Sequence, residues 1–137
     1  MKRVGEIYRK TGETEIKLVY EIDGEGQSKL NTGVPFMNHM LDLFAKHGHF
    51  NINIDANGDI EVDDHHTTED IGICLGQAIV QALGDKKGIK RYGNAFVPMD
   101  DTLAQVVIDL SNRPHLEYRA VLPSQKVGTF DTELVHE

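Results

Sequence analysis

The chain has 137 residues, the length of one ordinary domain, and a chain of this size can bury a substantial core without disulfides. Its hydrophobic content of 39% and charged content of 26% are typical of a folded protein and argue against intrinsic disorder. The net charge of −8 argues against a nucleic-acid partner, which would favour a basic surface.

Targeting signals are weak in this sequence. Residues 1–10 are basic, but no apolar run follows them, so they do not predict a secretory signal peptide. No stretch approaches the roughly 18 apolar residues that a membrane span needs. The single cysteine, Cys74, excludes an internal disulfide framework and is expected in the core. We therefore expect a cytoplasmic protein without a membrane partner.

Two segments of the first half alternate apolar and polar side chains, which predicts strands with one solvent-exposed face. They are residues 15–22 and 51–59, and a turn signal at 23–26 follows the first of them. Between them the apolar spacing is helical, and it predicts a helix that begins at Pro35 and is capped by Gly48.

A second amphipathic helix is predicted after an acidic, histidine-rich run, and residues 84–88 end it. Beyond it, strands are predicted over residues 94–98, 102–110 and 115–122, and residues 133–137 begin a further run at helical spacing. The apolar stripe of the second helix consists of Ile71, Cys74, Leu75, Ala78, Ile79, Ala82 and Leu83.

The order of elements predicts one α+β domain with a sheet covered by helices on one face. It also resembles a repeat, since strands lead into a helix carrying His39 and, later, into a run where Glu137 takes a comparable place. We expect residues 1–88 to form a first half-repeat and residues 89–137 an incomplete second one. Because ending inside an apolar-patterned helix would leave core missing, we expect a fragment of a longer protein.

The stretch VDDHHTTEDIG carries the most specific chemistry. Adjacent helical residues point about 100° apart, so His65 and His66 can hardly bind one ion together. Glu69 follows them at spacings of four and three, which share a helix face. This pattern suits two metal ions, such as manganese, iron or zinc, held by nitrogen and oxygen ligands. Nearby acids are candidates to orient the rings: Asp63, Asp64 and Asp70.

The structural alternative is a charged first helical turn with solvated histidines, in which the acids favour the helix dipole. His39, on the polar side of the preceding helix, favours the metal site instead. We expect His39, His66 and Glu69 to share one ion while His65 faces a second. The remaining histidines carry weaker signals and are expected at helix ends or on the surface: His47, His49, His115 and His136.

Two arginines in short links are candidates to bind an anion. Arg91 lies in KRYG and Arg113 in SNRPHL, and a guanidinium group can bind phosphate bidentately. The alternative is that both are ordinary solvated arginines.

Several motifs together resemble one enzyme family along essentially the whole chain. They are RKTGETEI, NTGVPFMNHMLDLF, GDIEVDDHHTTEDIGICLGQA, KRYG, PMDDTLAQVVIDLSNRP and VGTFDTELV, in this order. The sequence is similar to the imidazoleglycerol-phosphate dehydratases of histidine biosynthesis. The resemblance implies a duplicated β-α half-unit, each half a four-stranded sheet backed by helices.

The resemblance also implies an activity and an assembly. The family removes water from a glycerol-phosphate diol attached to imidazole, giving the acetol phosphate. It binds two Mn²⁺ ions per active site, which hold the substrate ring as imidazolate. Its trimers build a cage of 24 subunits, so a small-molecule phosphate and further copies of the chain are the expected partners.

By position, the resemblance implies metal ligands at His39, His65, His66 and Glu69. Glu137 falls where many members have a metal-binding histidine, and Asn112 replaces a glycine usual before Arg113. Glu13 matches an acidic residue of the substrate site, and Glu13 and Glu69 are the implied catalytic residues. The implied substrate-binding residues are Glu13, His39, His65, Glu69, Arg91 and Arg113.

Two other functions compete with this one. A manganese phosphoesterase with an Asp-His-His motif would need acidic ligands on earlier strands, and nothing upstream of Asp55 fits. A metal-binding or assembly module without catalysis is the other alternative, since half of the ligand set is absent from these residues.

Overall fold

The computed structural model describes residues 2–137. The chain divides into two compact units: the first runs up to Gly84 and includes Ala120–Glu137, and the second is Asp85–Arg119. The half-repeats expected over residues 1–88 and 89–137 stay a prediction, because a division into compact units is no test of internal symmetry.

A four-stranded sheet organises the first unit. Its strands are β1 (Val4–Lys10), β2 (Thr14–Glu21), β3 (Ser28–Asn31) and β4 (Asn51–Gly58), in the spatial order β1-β2-β4-β3. β1, β2 and β4 pair antiparallel, whereas β3 pairs parallel to β4. A parallel pair needs a crossover connection, and helix α1 (Pro35–Gly48) supplies it.

Both helices cover the same face of this sheet. The second helix, α2 (His65–Leu83), and α1 share one hydrophobic cluster with β2 and β4, while the opposite face of those strands carries exposed residues such as Lys17 and Asn53. The α+β fold with helices on one face is therefore confirmed. The buried members of the cluster are Ile16, Leu18, Tyr20, Leu41, Ala45, Ile52, Ile54, Ala56, Ile71, Cys74, Ala78 and Ala82.

The end of α1 differs from the prediction. Gly48 is the last helical residue, and His49 takes the left-handed conformation with φ 56°, its N–H donating to the Ala45 carbonyl. A Cβ on Gly48 would lie 2.3 Å from the Phe50 ring, which packs against Tyr20 at a centroid distance of 5.2 Å. The glycine is therefore explained by close packing and not by a left-handed cap.

The sequence patterns missed β1 and β3. The inward positions of β1 include Gly5, which is buried, and Arg9, so its apolar alternation is weak. A Cβ on Gly5 would lie 2.0 Å from the Ala78 carbonyl oxygen, so β1 passes unusually close to the backbone of α2. β3 carries one apolar residue, Leu30, too few to show a period.

The second unit contains the strands β5 (Tyr92–Met99) and β6 (Thr102–Asp109), which pair as an antiparallel hairpin. This agrees with two of the predicted strands. The third, over residues 115–122, was wrong: those residues form no strand. Alternation alone does not make a strand, because the backbone also needs a neighbouring edge to hydrogen-bond.

The last residues return to the first unit. Strands β7 (Lys126–Val127) and β8 (Phe130–Asp131) precede a 3₁₀ helix, Thr132–Val135, where the sequence had suggested a longer helix. Phe130 and Leu134 are buried against Val34 and Phe36. Among residues 2–137, no helix is long and apolar enough to cross a membrane.

Candidate metal centre and anion site

The turn between β4 and α2 places the two histidines at the start of a helix. The Asp59 carbonyl accepts a hydrogen bond from the Val62 N–H at 2.8 Å, which closes the turn. The Asp63 carboxylate accepts from the backbone N–H of His65 at 2.8 Å, so it shapes the helix start and does not orient a ring. The first turn of α2 therefore presents both imidazoles beyond the end of β4.

The two rings point in different directions. Their centroids lie 5.9 Å apart and their planes are inclined by 70°. His65 Nε2 lies 3.8 Å from Glu69 Oε2, beyond hydrogen-bond distance, and both side chains are nearly half exposed. An ion bound between these two atoms would be open to solvent or to a ligand on its outer side.

The ring of His66 has a carboxylate partner that sequence reasoning missed. Its Nδ1 lies 2.9 Å from Asp59 Oδ2, at the point where β4 ends. This hydrogen bond stabilises the imidazolium form and raises the pKa of His66, and the charges of Glu13 and Asp63 act in the same direction. The available signal was Asp59 itself, an acidic residue directly after an alternating strand and separated from the histidine pair only by a short turn.

Glu13 lies in the connection between β1 and β2. Its carbonyl accepts a hydrogen bond from the Asp59 N–H at 3.2 Å, and the Asp59 carboxylate in turn bonds to the His66 ring. The fold therefore brings together Glu13, Asp59 and His66, which are far apart in sequence.

The structure does not assemble a complete ligand set. Among residues 2–137, no group of three or more His, Cys, Asp or Glu side chains is arranged to hold a metal ion. His39 is exposed on α1, and Glu137 is exposed beyond the 3₁₀ helix. Within these residues, His39, His66 and Glu69 do not form such a group, and the assignment of the individual ligands stays a prediction.

Asp70 does not orient a histidine ring, contrary to expectation. It is 6% exposed, and its carboxylate accepts hydrogen bonds from Thr14 Oγ1 at 2.5 Å and from Arg9 Nε at 2.9 Å. Because it is one residue after Glu69, it points away from that side chain and into the β1–β2 end of the sheet. Its role is to connect α2 to the strands.

Near the start of α2, four buried side-chain oxygens have no hydrogen-bond partner among residues 2–137. They are Asp59 Oδ1, Asp64 Oδ2, Thr67 Oγ1 and Thr68 Oγ1. Since a buried oxygen without a hydrogen bond is costly, each of these atoms suits a contact with ordered water or a cation. The imidazoles of His65 and His66 and the carboxylate of Glu69 are ligand types that fit manganese chemically, although they supply only part of a six-ligand shell.

The arginine candidates both lie in the second unit. Arg91 binds Asp109 through Nε at 2.7 Å and a terminal nitrogen at 3.1 Å, and its guanidinium lies 5.0 Å from the centre of the Tyr92 ring. Arg91 and, more weakly, Arg113 lower the pKa of Asp109. Asp109, which sequence reasoning missed, thus shares the field of both arginines and is ionised at neutral pH.

The family model for imidazoleglycerol-phosphate dehydratase matches residues 32–137 of the chain. Relatives named imidazoleglycerol-phosphate dehydratase include a protein of Halalkalibacterium halodurans, 76% identical over 135 residues, and one of Bacillus subtilis, 72% identical over 135 residues. Each alignment covers 98% of the chain and 70% of the relative, so the chain spans about 70% of their length.

Solved structures agree with these relatives. The crystal structure of imidazoleglycerol-phosphate dehydratase from Staphylococcus aureus superposes with a TM-score of 0.85 at 47% identity, covering 97% of the chain and 72% of that structure. The enzyme from Pyrococcus furiosus, in complex with (S)-C348, gives 0.79 at 32% identity, covering 95% and 68%. With a family match over most of its length and relatives of this similarity, the chain belongs to the imidazoleglycerol-phosphate dehydratases, a family of hydro-lyases.

Proposed function

We propose that this chain carries part of a manganese-dependent active site that dehydrates imidazole glycerol phosphate to imidazole acetol phosphate in histidine biosynthesis, in the cytoplasm. Family membership gives the reaction. The observation that carries the metal dependence is the pair of imidazoles on the first turn of α2, inclined by 70° and surrounded by carboxylates.

The metal ions would be held by His65 together with Glu69, and by Nε2 of His66, the ring nitrogen that does not bond to Asp59. His39 and Glu137 would be further ligands. When bound, Mn²⁺ would act as a Lewis acid on the imidazole of the substrate. The half-exposed side chains of His65, His66 and Glu69 support this role, because a ligand atom must be reachable from solvent.

Dehydration removes a proton from one carbon of the diol and hydroxide from its neighbour, and the resulting enol becomes the ketone. Glu13 and Glu69 are the candidates to carry the proton, since a carboxylate beside the reacting carbon can act as a general base. The hydrogen bonds of Asp59, to the Glu13 backbone on one side and to the His66 ring on the other, support the place of Glu13 at the same site. Arg91 and Arg113 are the candidates to bind the substrate phosphate.

The ligand set would be completed by other protein segments, including further copies of the chain in a symmetric assembly of trimers forming a 24-subunit cage. The absence of a three-ligand group among residues 2–137 supports this view. For the same reason we propose that these 137 residues alone bind manganese weakly and turn over slowly. Without catalysis, they would act as a metal-binding and assembly module, which is the second candidate function.

The test is a product assay with added Mn²⁺, run beside the full-length Bacillus subtilis relative as a positive control. We expect the relative to form imidazole acetol phosphate and the 137-residue chain to be at least about 100-fold slower, because several ligands are lost together. Turnover within tenfold of the relative would contradict the need for further ligands.

Metal binding is measured on the same sample by electron paramagnetic resonance of free Mn²⁺. Substituting His65→Ala or His66→Ala should reduce binding, whereas His47→Ala, at the distant end of α1, should not. If all three variants bind Mn²⁺ equally, the assignment of His65 and His66 as metal ligands is refuted. The reaction proposed from family membership would still be supported.

A further inference from the structure

Asp59 contacts two of the candidate site residues at once. Its carboxylate lies 2.9 Å from His66 Nδ1, and its backbone N–H donates to the Glu13 carbonyl at 3.2 Å. We propose that Asp59 is a positioning residue that fixes His66 in the Nδ1–H tautomer, with Nε2 directed outward, and holds the β1–β2 turn beside it. This inference rests on the proposed function insofar as it assigns His66 to the metal.

The tautomer follows from the chemistry of the pair. An ionised carboxylate can only accept hydrogen bonds, so a neutral His66 must carry its proton on Nδ1. The lone pair then belongs to Nε2, at the opposite end of a ring whose side chain is 44% exposed. A metal ion needs that lone pair, and a ring held by a carboxylate offers it in one fixed direction.

His65 provides a contrast within the same helical turn. Its nearest acidic oxygen, on Glu69, is 3.8 Å from Nε2, too far for a hydrogen bond. No carboxylate therefore selects its tautomer in this structure. The two neighbouring histidines should differ in the uncomplexed protein: His66 held in one tautomer, His65 distributed between both.

Asp59 can orient the ring because it is itself held. Its backbone bonds to Glu13 on one side and to Val62 on the other, and its carboxylate is only 22% exposed. A shift of Asp59 would move His66 and the Glu13 turn together.

The tautomer is tested by nitrogen NMR of the imidazoles in the metal-free chain, at alkaline pH where histidine is neutral. We expect His66 to show a protonated Nδ1 and an unprotonated Nε2. Asp59→Ala should abolish this preference, and Asp59→Asn, whose amide can either accept from or donate to the ring, should weaken it. Asp63→Asn is the matched control, because Asp63 also acts on His66 by its charge but makes no hydrogen bond to the ring.

A wild-type His66 protonated on Nε2, or a tautomer unchanged in Asp59→Ala, would overturn the proposal whatever the metal does. If Asp59→Ala loses its fold, as shown by circular dichroism, the spectra of the wild type and of Asp59→Asn decide. Unlike a merely structural substitution, loss of the acceptor should leave the signals of His39 and His47 unchanged.

Added Mn²⁺ separates this proposal from the assignment of the metal site. Paramagnetic broadening of the His66 signals should need about 10- to 100-fold more Mn²⁺ in Asp59→Ala than in the wild type or in Asp63→Asn. If the tautomer responds as expected but His66 is not broadened in any variant, orientation by Asp59 stands and the proposed metal role of His66 is refuted. If His66 is broadened equally in all variants, positioning by Asp59 is refuted and the metal role stands.

Discussion

Removing the Asp70 carboxylate should test what holds the strands against the histidine-bearing helix. Asp70→Ala deletes the acceptor of two hydrogen bonds, from Thr14 Oγ1 at 2.5 Å and from Arg9 Nε at 2.9 Å. After the substitution, the Thr14 hydroxyl keeps only a long contact of 3.3 Å to the Thr11 hydroxyl. Because Thr14 is 4% exposed, water cannot fully replace the lost carboxylate. Breaking a hydrogen bond to a buried charged acceptor costs about 1.5–3 kcal/mol.

The Arg9 contribution is smaller. Its side chain is 34% exposed, so its guanidinium can be rehydrated, and its share falls toward the roughly 0.5–1 kcal/mol of a surface ion pair. Together the free energy of unfolding should fall by roughly 2–4 kcal/mol. For a chain of this length, that corresponds to a decrease in Tm of roughly 7–14 °C.

Urea unfolding followed by circular dichroism measures this loss. Asp70→Asn, which can still accept from Thr14, should lose about half as much. The control is Asp55→Ala, which removes an exposed carboxylate on β4 that accepts a hydrogen bond from the Asn31 side-chain amide, and it should cost under about 0.5 kcal/mol. If Asp70→Ala costs no more than this control, the carboxylate is not the connection between α2 and the strands.

The remaining predictions concern packing, backbone conformation and charge. Gly5→Ala should destabilise the chain by about 2–3 kcal/mol, because its Cβ would lie 2.0 Å from a backbone oxygen of α2. Gly76→Ala, on α2 itself, places its Cβ in open space and should stabilise the chain by up to about 1 kcal/mol; urea unfolding measures both changes. His49→Gly should raise stability by about 0.5–1 kcal/mol, since φ is 56°; a decrease in Tm would contradict this. The Arg3 guanidinium lowers the pKa of Asp23 to about 2, so the pair stabilises the fold at neutral pH and this contribution is lost as the pH falls through about 2; carbon NMR titration of Arg3→Gln should show a pKa for Asp23 nearer the ordinary 3.8.

The elements with strong periodicity were predictable from sequence. Residues 15–22 and 51–59 bury alternate side chains against helices, and the stripe from Ile71 to Leu83 buries every third or fourth residue. Because buried positions are apolar and exposed positions are polar, the strand period of two and the helix period of 3.6 are both visible in the sequence. The His65, His66 and Glu69 pattern was visible for the same reason, since helical phase fixes which side chains share a face.

What the tertiary structure decided depends on contacts between residues far apart in sequence. β1 was missed because its inward positions hold Gly5 and Arg9, which are not apolar side chains. Gly5 lies against the backbone of α2, and Arg9 donates to the carboxylate of Asp70. Residues 115–122 alternate like a strand but pair with no other strand.

The same distinction applies within the candidate site. Asp63 and Asp70 had been expected to orient the histidines by their proximity in sequence, but they bind the His65 backbone and the Arg9 and Thr14 side chains. Asp59 takes the ring of His66 because the end of β4 places it there. Spacing along the sequence determines which side chains lie on the same face of a helix. The partner of each side chain depends instead on which strand end the fold places beside it.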